Sequence, residues 1–237
     1  SFTGPQKLRD HLNKKFTIRE IKNWLSGQDA YTLHKPIRRK FKRRRTFTTG
    51  INDLWQIDLA CLESVSKYND GVKFLLICID VFSKVLRVAP LKNKSAKSVT
   101  AAFERMLEFQ QPIHVQSDKG TEFLNSTFQE LLRNRGIKFY VSQNDDVKCA
   151  IAERVQRTLK EKLFRLMTYK NTKRYIDDLD ALVESYNNTF HRSIKRTPNE
   201  VNRTNEKEVH ATLYKPKSAP VYKYSLGDFV RISGSKR

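Results

Sequence analysis

The chain is 237 residues long, with 46 lysines and arginines against 25 aspartates and glutamates, a formal net charge of +21. That length allows one sizeable core with smaller flanking modules. The charge excludes an acidic scaffold and points to a polyanionic partner, most simply nucleic acid. No secretory signal opens the sequence, and its longest apolar run, Phe74 to Ile79, is closed by Asp80 and is too short to cross a bilayer, so a soluble protein with no membrane partner is expected. The three cysteines, Cys61, Cys78 and Cys149, are widely spaced in apolar settings, which predicts reduced thiols in an intracellular protein. Neither the opening Ser-Phe-Thr-Gly nor the closing Ser-Gly-Ser-Lys-Arg reads as a natural end, so a fragment of a longer chain is expected.

In residues 1–34, Leu8, Leu12, Phe16, Ile18, Ile21, Trp24 and Leu25 fall at helical spacing. Thr17 with Glu20 forms a capping box, which predicts a helix from near Ile18 to the stop at Ser26-Gly27. Two or three short helices fit a helix-turn-helix-like module, or equally a helical spacer docked on the next domain. Residues 35–50 follow as a basic linker. Eight lysines or arginines and no acid lie between Lys35 and Arg45, so this stretch repels itself and is expected to track phosphates, with Arg38, Arg39, Arg43, Arg44 and Arg45 as DNA contacts. It also reads as a nuclear-localisation-like patch, from which a nuclear location is expected.

The pattern changes to strands at Ile51. Leu54–Leu62, Val72–Phe82 and Val85–Leu91 are β-rich runs parted by polar turns, which predicts a three-stranded antiparallel meander. Next come an amphipathic helix over Ser95–Phe109, a strand over Ile113–Gln116, a helix over Asn125–Arg135 stopped by Gly136, and a strand over Lys138–Val141. A helix opens at Ala150 with Ile151, Val155, Leu159 and Leu163 recurring every four residues, and a long helical stretch runs from Lys173 to about His191. The fold class is α/β, a mixed five-stranded sheet covered by helices over residues 51–205. Residues 206–237 form a linker that regains strand character at Val221–Ile232, where a small β-barrel would begin.

Three acids stand out on this skeleton. Asp58 lies mid-strand between apolar neighbours, where a lone charge is costly unless paired or metal-bound. Asp118 directly follows the fourth strand, and Glu153 opens the helix after the fifth. Adjacent first and fourth strands would gather these carboxylates at one end of the sheet. A cluster of hard oxygen ligands selects Mg²⁺ or Mn²⁺, and two such ions support in-line phosphoryl chemistry. Asp80 reads instead as a strand-end acid bonding its neighbours' backbone, and Glu122, Asp145 and Asp146 as hydrated turn residues. Lys148, Arg154, Arg157 and Lys160 flank Glu153 as DNA-facing cations. His191 is read more readily as a structural histidine than as a DNA contact.

In combination, Trp55-Gln56-Ile57-Asp58, Ser117-Asp118-Lys119-Gly120-Thr121-Glu122-Phe123, and Glu153 with Arg157 and Lys160 resemble the catalytic core of retroviral and retrotransposon integrases. Between Asp118 and Glu153 lie 34 residues, one fewer than the interval usual in retroviral members. Tyr186–His191 and Thr197-Pro198-Asn199-Glu200 resemble the end of that core. Leu25–Thr32 and the Asn-Asp-Asp-Val-Lys loop resemble most the integrases of the Polinton or Maverick transposons.

The resemblance implies an RNase H-like fold, with Asp58, Asp118 and Glu153 as catalytic and metal-binding residues. It also implies two Mg²⁺ or Mn²⁺ ions, 3′-end processing and strand transfer of double-stranded DNA, and a homo-oligomer, dimer or tetramer, on element ends. The carboxy-terminal barrel would be SH3-like or chromo-like. No cysteine pair accompanies His11 and His34, so no zinc is expected in this fragment. Two rivals remain: a domesticated integrase-derived DNA-binding protein without catalysis, and an RNase H-like nuclease acting on RNA in hybrids.

Overall fold

The computed structural model describes residues 5–28, 46–141, 149–215 and 227. The chain divides into two compact units, Ser1–Arg45 and Thr46–Arg237. In the first, α1 (Pro5–His11) is followed by α2 (Ile18–Ser26). Glu20 N–H donates to Thr17 Oγ1 at 3.2 Å while Glu20 Oε2 accepts the Thr17 N–H at 2.8 Å, the reciprocal cap expected from the sequence. Ile21 and Leu25 are its buried positions, and Gly27 caps the end. The arginine run and the start of the expected barrel lie outside the described residues.

The second unit is built on β1 (Leu54–Cys61), β2 (Phe74–Asp80), β3 (Leu86–Leu91), β4 (His114–Ser117) and β5 (Lys138–Val141). Their order across the sheet is β3-β2-β1-β4-β5. β1, β2 and β3 pair antiparallel, whereas β4 and β5 join parallel to β1, so β1 is the central strand and meets β4 edge to edge.

Strand alternation gives the sheet two apolar faces. Trp55, Ile57, Leu76, Cys78 and Val115 pack under α3 (Ala96–Leu107), α4 (Thr121–Leu124) and α5 (Ser126–Asn134). Ala60, Leu75, Ile77 and Ile79 face α6 (Ala150–Tyr169) and α7 (Leu179–Asn187). On α6 the buried stripe is Ala152, Val155, Leu159, Leu163 and Met167. It opens at Ala152, with Ile151 half-buried, because a strict four-residue repeat drifts about 40° per step on a 3.6-residue helix. A third small cluster joins Phe82, Ile194 and Val209, the last on α8 (Glu206–Leu213).

Two expectations are corrected. The single helix expected from Lys173 to His191 is a 3-10 turn at Ile176–Asp178 followed by α7. The cause is Asn69, buried 104 and more residues away in sequence, whose amide donates to the Lys173 carbonyl and accepts the N–H groups of Tyr175 and Ile176. The Lys173 carbonyl is thereby taken from a helical ladder, and the Tyr175 and Ile176 N–H groups are capped from outside, so the helix starts later. Cys61, expected in an apolar setting, is exposed at the end of β1, while Cys78 and Cys149 are buried; all three are free. No helix among the described residues is long and apolar enough to cross a membrane.

Besides its apolar packing, helix α7 is tied to the edge of the sheet by one side chain. Asn187 Oδ1 accepts the Leu86 N–H at 2.8 Å and its Nδ2 donates to the Leu86 carbonyl at 2.9 Å, so an amide takes the place of a neighbouring strand on β3. Asn187→Ala leaves both groups of Leu86 unpaired beneath α7 and is expected to cost about 2–3 kcal/mol, measured by urea denaturation.

Candidate active site

The parallel register of β1 and β4 positions the first two acids. Leu54, Trp55 and Gln56 pair with His114, Val115 and Gln116. The same offset carried two residues further sets Asp58, in β1, level with Asp118, which leaves the end of β4. Asp118 Oδ1 accepts the Gly120 N–H at 3.1 Å. A Cβ at Gly120 would come within 2.9 Å of the Glu122 carboxyl and 3.1 Å of Asp118 Oδ1, so glycine keeps this turn open and Glu122 close beside Asp118.

Two glutamines set the third acid. Gln56 is buried, and its Nε2 donates to Gln116 Oε1 at 2.9 Å while its own Oε1 accepts the N–H groups of Ile151 and Ala152, each at 3.1 Å. The residue preceding α6 is Cys149, which makes no side-chain cap, so Gln56 supplies the cap from the sheet. Four residues after Ala152, Gln156 Nε2 donates to the Leu59 carbonyl at 3.0 Å. Glu153 lies between these tethers in the first turn of α6, exposed over the strand that carries half-buried Asp58.

The charges act on one another. Burial pushes the Asp58 carboxyl up to about 6, and the negative charges of Asp118 and Glu153 add to this, against the Leu59 N–H and the Lys160 ammonium. Burial also raises the Cys149 thiol to about 12, helped by Asp118, Asp58 and Glu153. These couplings bring the three acids to one place. Among the described residues, however, no group of three or more such side chains is close enough to hold a metal ion as it stands. The donor set of hard carboxylate oxygens fits a divalent cation.

Of the cations, Arg154 and Arg157 are exposed on α6 and Lys160 is half-buried within the field of Asp58. Lys148, Arg38, Arg39, Arg43, Arg44 and Arg45 lie outside the described residues, as do Asp145 and Asp146. Asp80 is fully buried and accepts the N–H groups of Phe82, Ser83 and Asn52, the backbone role expected of it. The pattern reading passed over Gln56 and Gln156. The available signal was a glutamine two residues before Asp58 on the same strand face, polar where the run is otherwise apolar.

Two outcomes follow from this geometry. Between about pH 4 and 6 the folded, metal-free protein keeps a proton on Asp58 that the unfolded chain has released, so stability falls as pH rises through that window. Asp58→Asn is therefore expected to stabilise the metal-free protein by about 2 kcal/mol at pH 7.5 and leave it unchanged at pH 4, in urea denaturation with chelator present. Gln56→Leu strands the Ile151 and Ala152 N–H groups. It should cost roughly 3 kcal/mol and speed hydrogen exchange of those two amides.

Comparison with known proteins agrees with the fold. Residues 48–146 match the family model described as the integrase core domain, a match that stops short of Glu153. A transposon-derived protein of Caenorhabditis elegans is 37% identical over 172 residues, 72% of this chain, and the chain spans 58% of that relative's length. Among solved structures, the HTLV-2 integrase catalytic core domain in complex with magnesium aligns with TM-score 0.54 and 19% identity, over 64% of this chain and 97% of that one. The simian T-cell lymphotropic virus intasome with a PP2A regulatory subunit aligns with TM-score 0.61 and 15% identity, over 96% of this chain and 81% of that one. The five-stranded sheet with its flanking helices has the RNase H-like fold of retroviral integrase catalytic cores, and residues 48–146 are similar to the integrase core domain.

Proposed function

We propose that the chain is the core of a transposon or retroviral-type integrase that trims the 3′ ends of an element and joins them to target DNA. The observation that carries this reading is the convergence of Asp58, Asp118 and Glu153 at one end of the sheet, where burial, and after it the charges of the other two, raises the Asp58 carboxyl. These three residues would hold Mg²⁺ or Mn²⁺, in line with the magnesium in the HTLV-2 core structure, and a pair of ions is the form we infer. When bound, such ions lower the pKa of the attacking water or 3′-hydroxyl and stabilise the leaving oxygen.

The chain's own residues do the rest. Asp58 gives up its proton as the site is charged. Gln56 and Gln156 keep Glu153 over β1 through the reaction. Arg157 and Lys160, within about 40° of Glu153 around the helix, bind the phosphates of the strand entering the acids. The Lys148 loop and the Lys35–Arg45 run would extend that contact, and the latter would direct the protein to the nucleus. A Polinton or Maverick origin is supported by the resemblance of Leu25–Thr32. Assembly as a multimer is supported by the dimeric and trimeric forms of the HTLV-2 core.

A second reading, DNA binding without catalysis, is favoured by one observation: the acids are not close enough together to hold an ion without moving.

Joining of a labelled duplex into plasmid with Mg²⁺ or Mn²⁺ separates the two. The parent is expected to join, while Asp58→Asn, Asp118→Asn and Glu153→Gln each fall to background and still bind DNA within about twofold, since each removes a ligand oxygen and little volume. Full joining by any of the three sinks the integrase reading. DNA binding with no joining by the parent supports the second.

A further inference from the structure

Past α7 the chain doubles back in an antiparallel bridge between His191 and Arg196, and beside it opens a cleft of about 590 Å³. Phe190, Lys195, Arg196, Glu200, Asn202 and Asn205 line it. Hydrogen bonds between near neighbours set its walls. His191 N–H donates to the Arg196 carbonyl and Lys195 N–H to the His191 carbonyl, each at 2.9 Å, closing a turn with Lys195 at φ 56°. The side-chain amides of Asn202 and Asn205 donate to the Glu200 carbonyl at 3.1 and 2.7 Å, and Asn202 N–H donates to Asn205 Oδ1 at 3.1 Å. Ile194 and Pro198 are buried and anchor the segment.

Two of the lining charges are already engaged. Arg196 Nη2 pairs with Glu208 Oε1 at 2.8 Å, and Glu200 Oε2 accepts the Thr197 N–H at 2.7 Å. Lys195 is exposed and enters no ion pair among the described residues. Phe190 is 61% exposed, and its ring meets no other aromatic ring among the described residues. One exposed phenyl group means little by itself. Here it stands in a cleft with one free cation and two amides whose places are fixed. With Arg196 set against Glu208 and Lys195 against Glu200, the cleft is near neutrality, so attraction to phosphate alone would not select it. What it offers is an aromatic face, fixed amides and one point charge.

We propose that this cleft takes one unpaired nucleotide of a DNA strand, with its base against Phe190 and its phosphate at Lys195. The proposal rests on the reading of this core as one that acts on DNA. The cleft has the volume of a small-ligand site, and aromatic stacking with a nearby cation is how single strands are held without regard to sequence. A base inside a duplex has both faces covered by its neighbours, so only an unpaired one has a face to offer the ring.

The test is equilibrium binding of two labelled single strands of equal length to the full chain, in chelator, one strand natural and one abasic throughout. The parent is expected to bind the natural strand about tenfold more tightly, the order of one stacked base, and Phe190→Ala to bring that ratio close to one while Phe190→Trp keeps it. Lys195→Asn, which suits the positive φ, should keep the ratio and shrink the slope of log K against log salt by about 0.7, the value for one single-strand phosphate. Thermal unfolding checks that each variant is folded. Equal binding of both strands by the parent, or a ratio that survives Phe190→Ala, would overturn the proposal. Either result leaves the integrase reading standing, since no metal or joining is involved. A parent that binds neither strand nor a duplex would overturn both.

Discussion

One buried amide holds the site together. Gln56 reaches sideways to Gln116 on β4 and upward to two N–H groups of α6, so a single side chain fixes the strand that bears Asp58, the strand that ends at Asp118 and the helix that bears Glu153. A helix beginning at a cysteine has no cap of its own, and its first turn would otherwise fray where its carboxylate must stay put. Each of the three hydrogen bonds has a net value of about 1 kcal/mol, but leaving any of these buried groups unmade would cost more. The constraint is thus as much geometric as energetic.

That constraint works against electrostatics. Burial first, and then the charges of Asp118 and Glu153, raise the Asp58 carboxyl, while the Leu59 N–H and Lys160 act the other way. The acids are carried by β1, by the end of β4 and by the first turn of α6. A positive charge that enters the site, whether an ion or one of the protein's own side chains, favours the ionised Asp58 carboxylate.

How far the sequence foretold this depends on the range of each interaction. The cap at Thr17 and Glu20, the β-hairpins and the apolar stripe of α6 are written in residues three or four apart, and pattern alone located them. The clamps of Asn69, Asn187 and Gln56 join residues 95 to 107 apart, and nothing local marks them. The long helix expected from Lys173 failed for that reason: helical periodicity is present, but a distant asparagine takes its backbone partners. At the site, pattern singled out the three acids as unusual, and only the parallel pairing of β1 with β4 makes two of them level.

The Asn187 amide has a consequence for how copies of this chain can meet. β3 is an edge strand, and its outward-directed backbone groups belong to Leu86, Val88 and Pro90, alternating from the residue that Asn187 covers. Leu86 is already taken and Pro90 has no N–H, which leaves one donor on that border of the sheet. Strand-by-strand addition, the route to open-ended aggregates, is closed there. That leaves β5, the opposite edge of the sheet, and the helices as the surfaces on which copies of a chain this rich in positive charge meet, where nucleic acid can neutralise the repulsion between them.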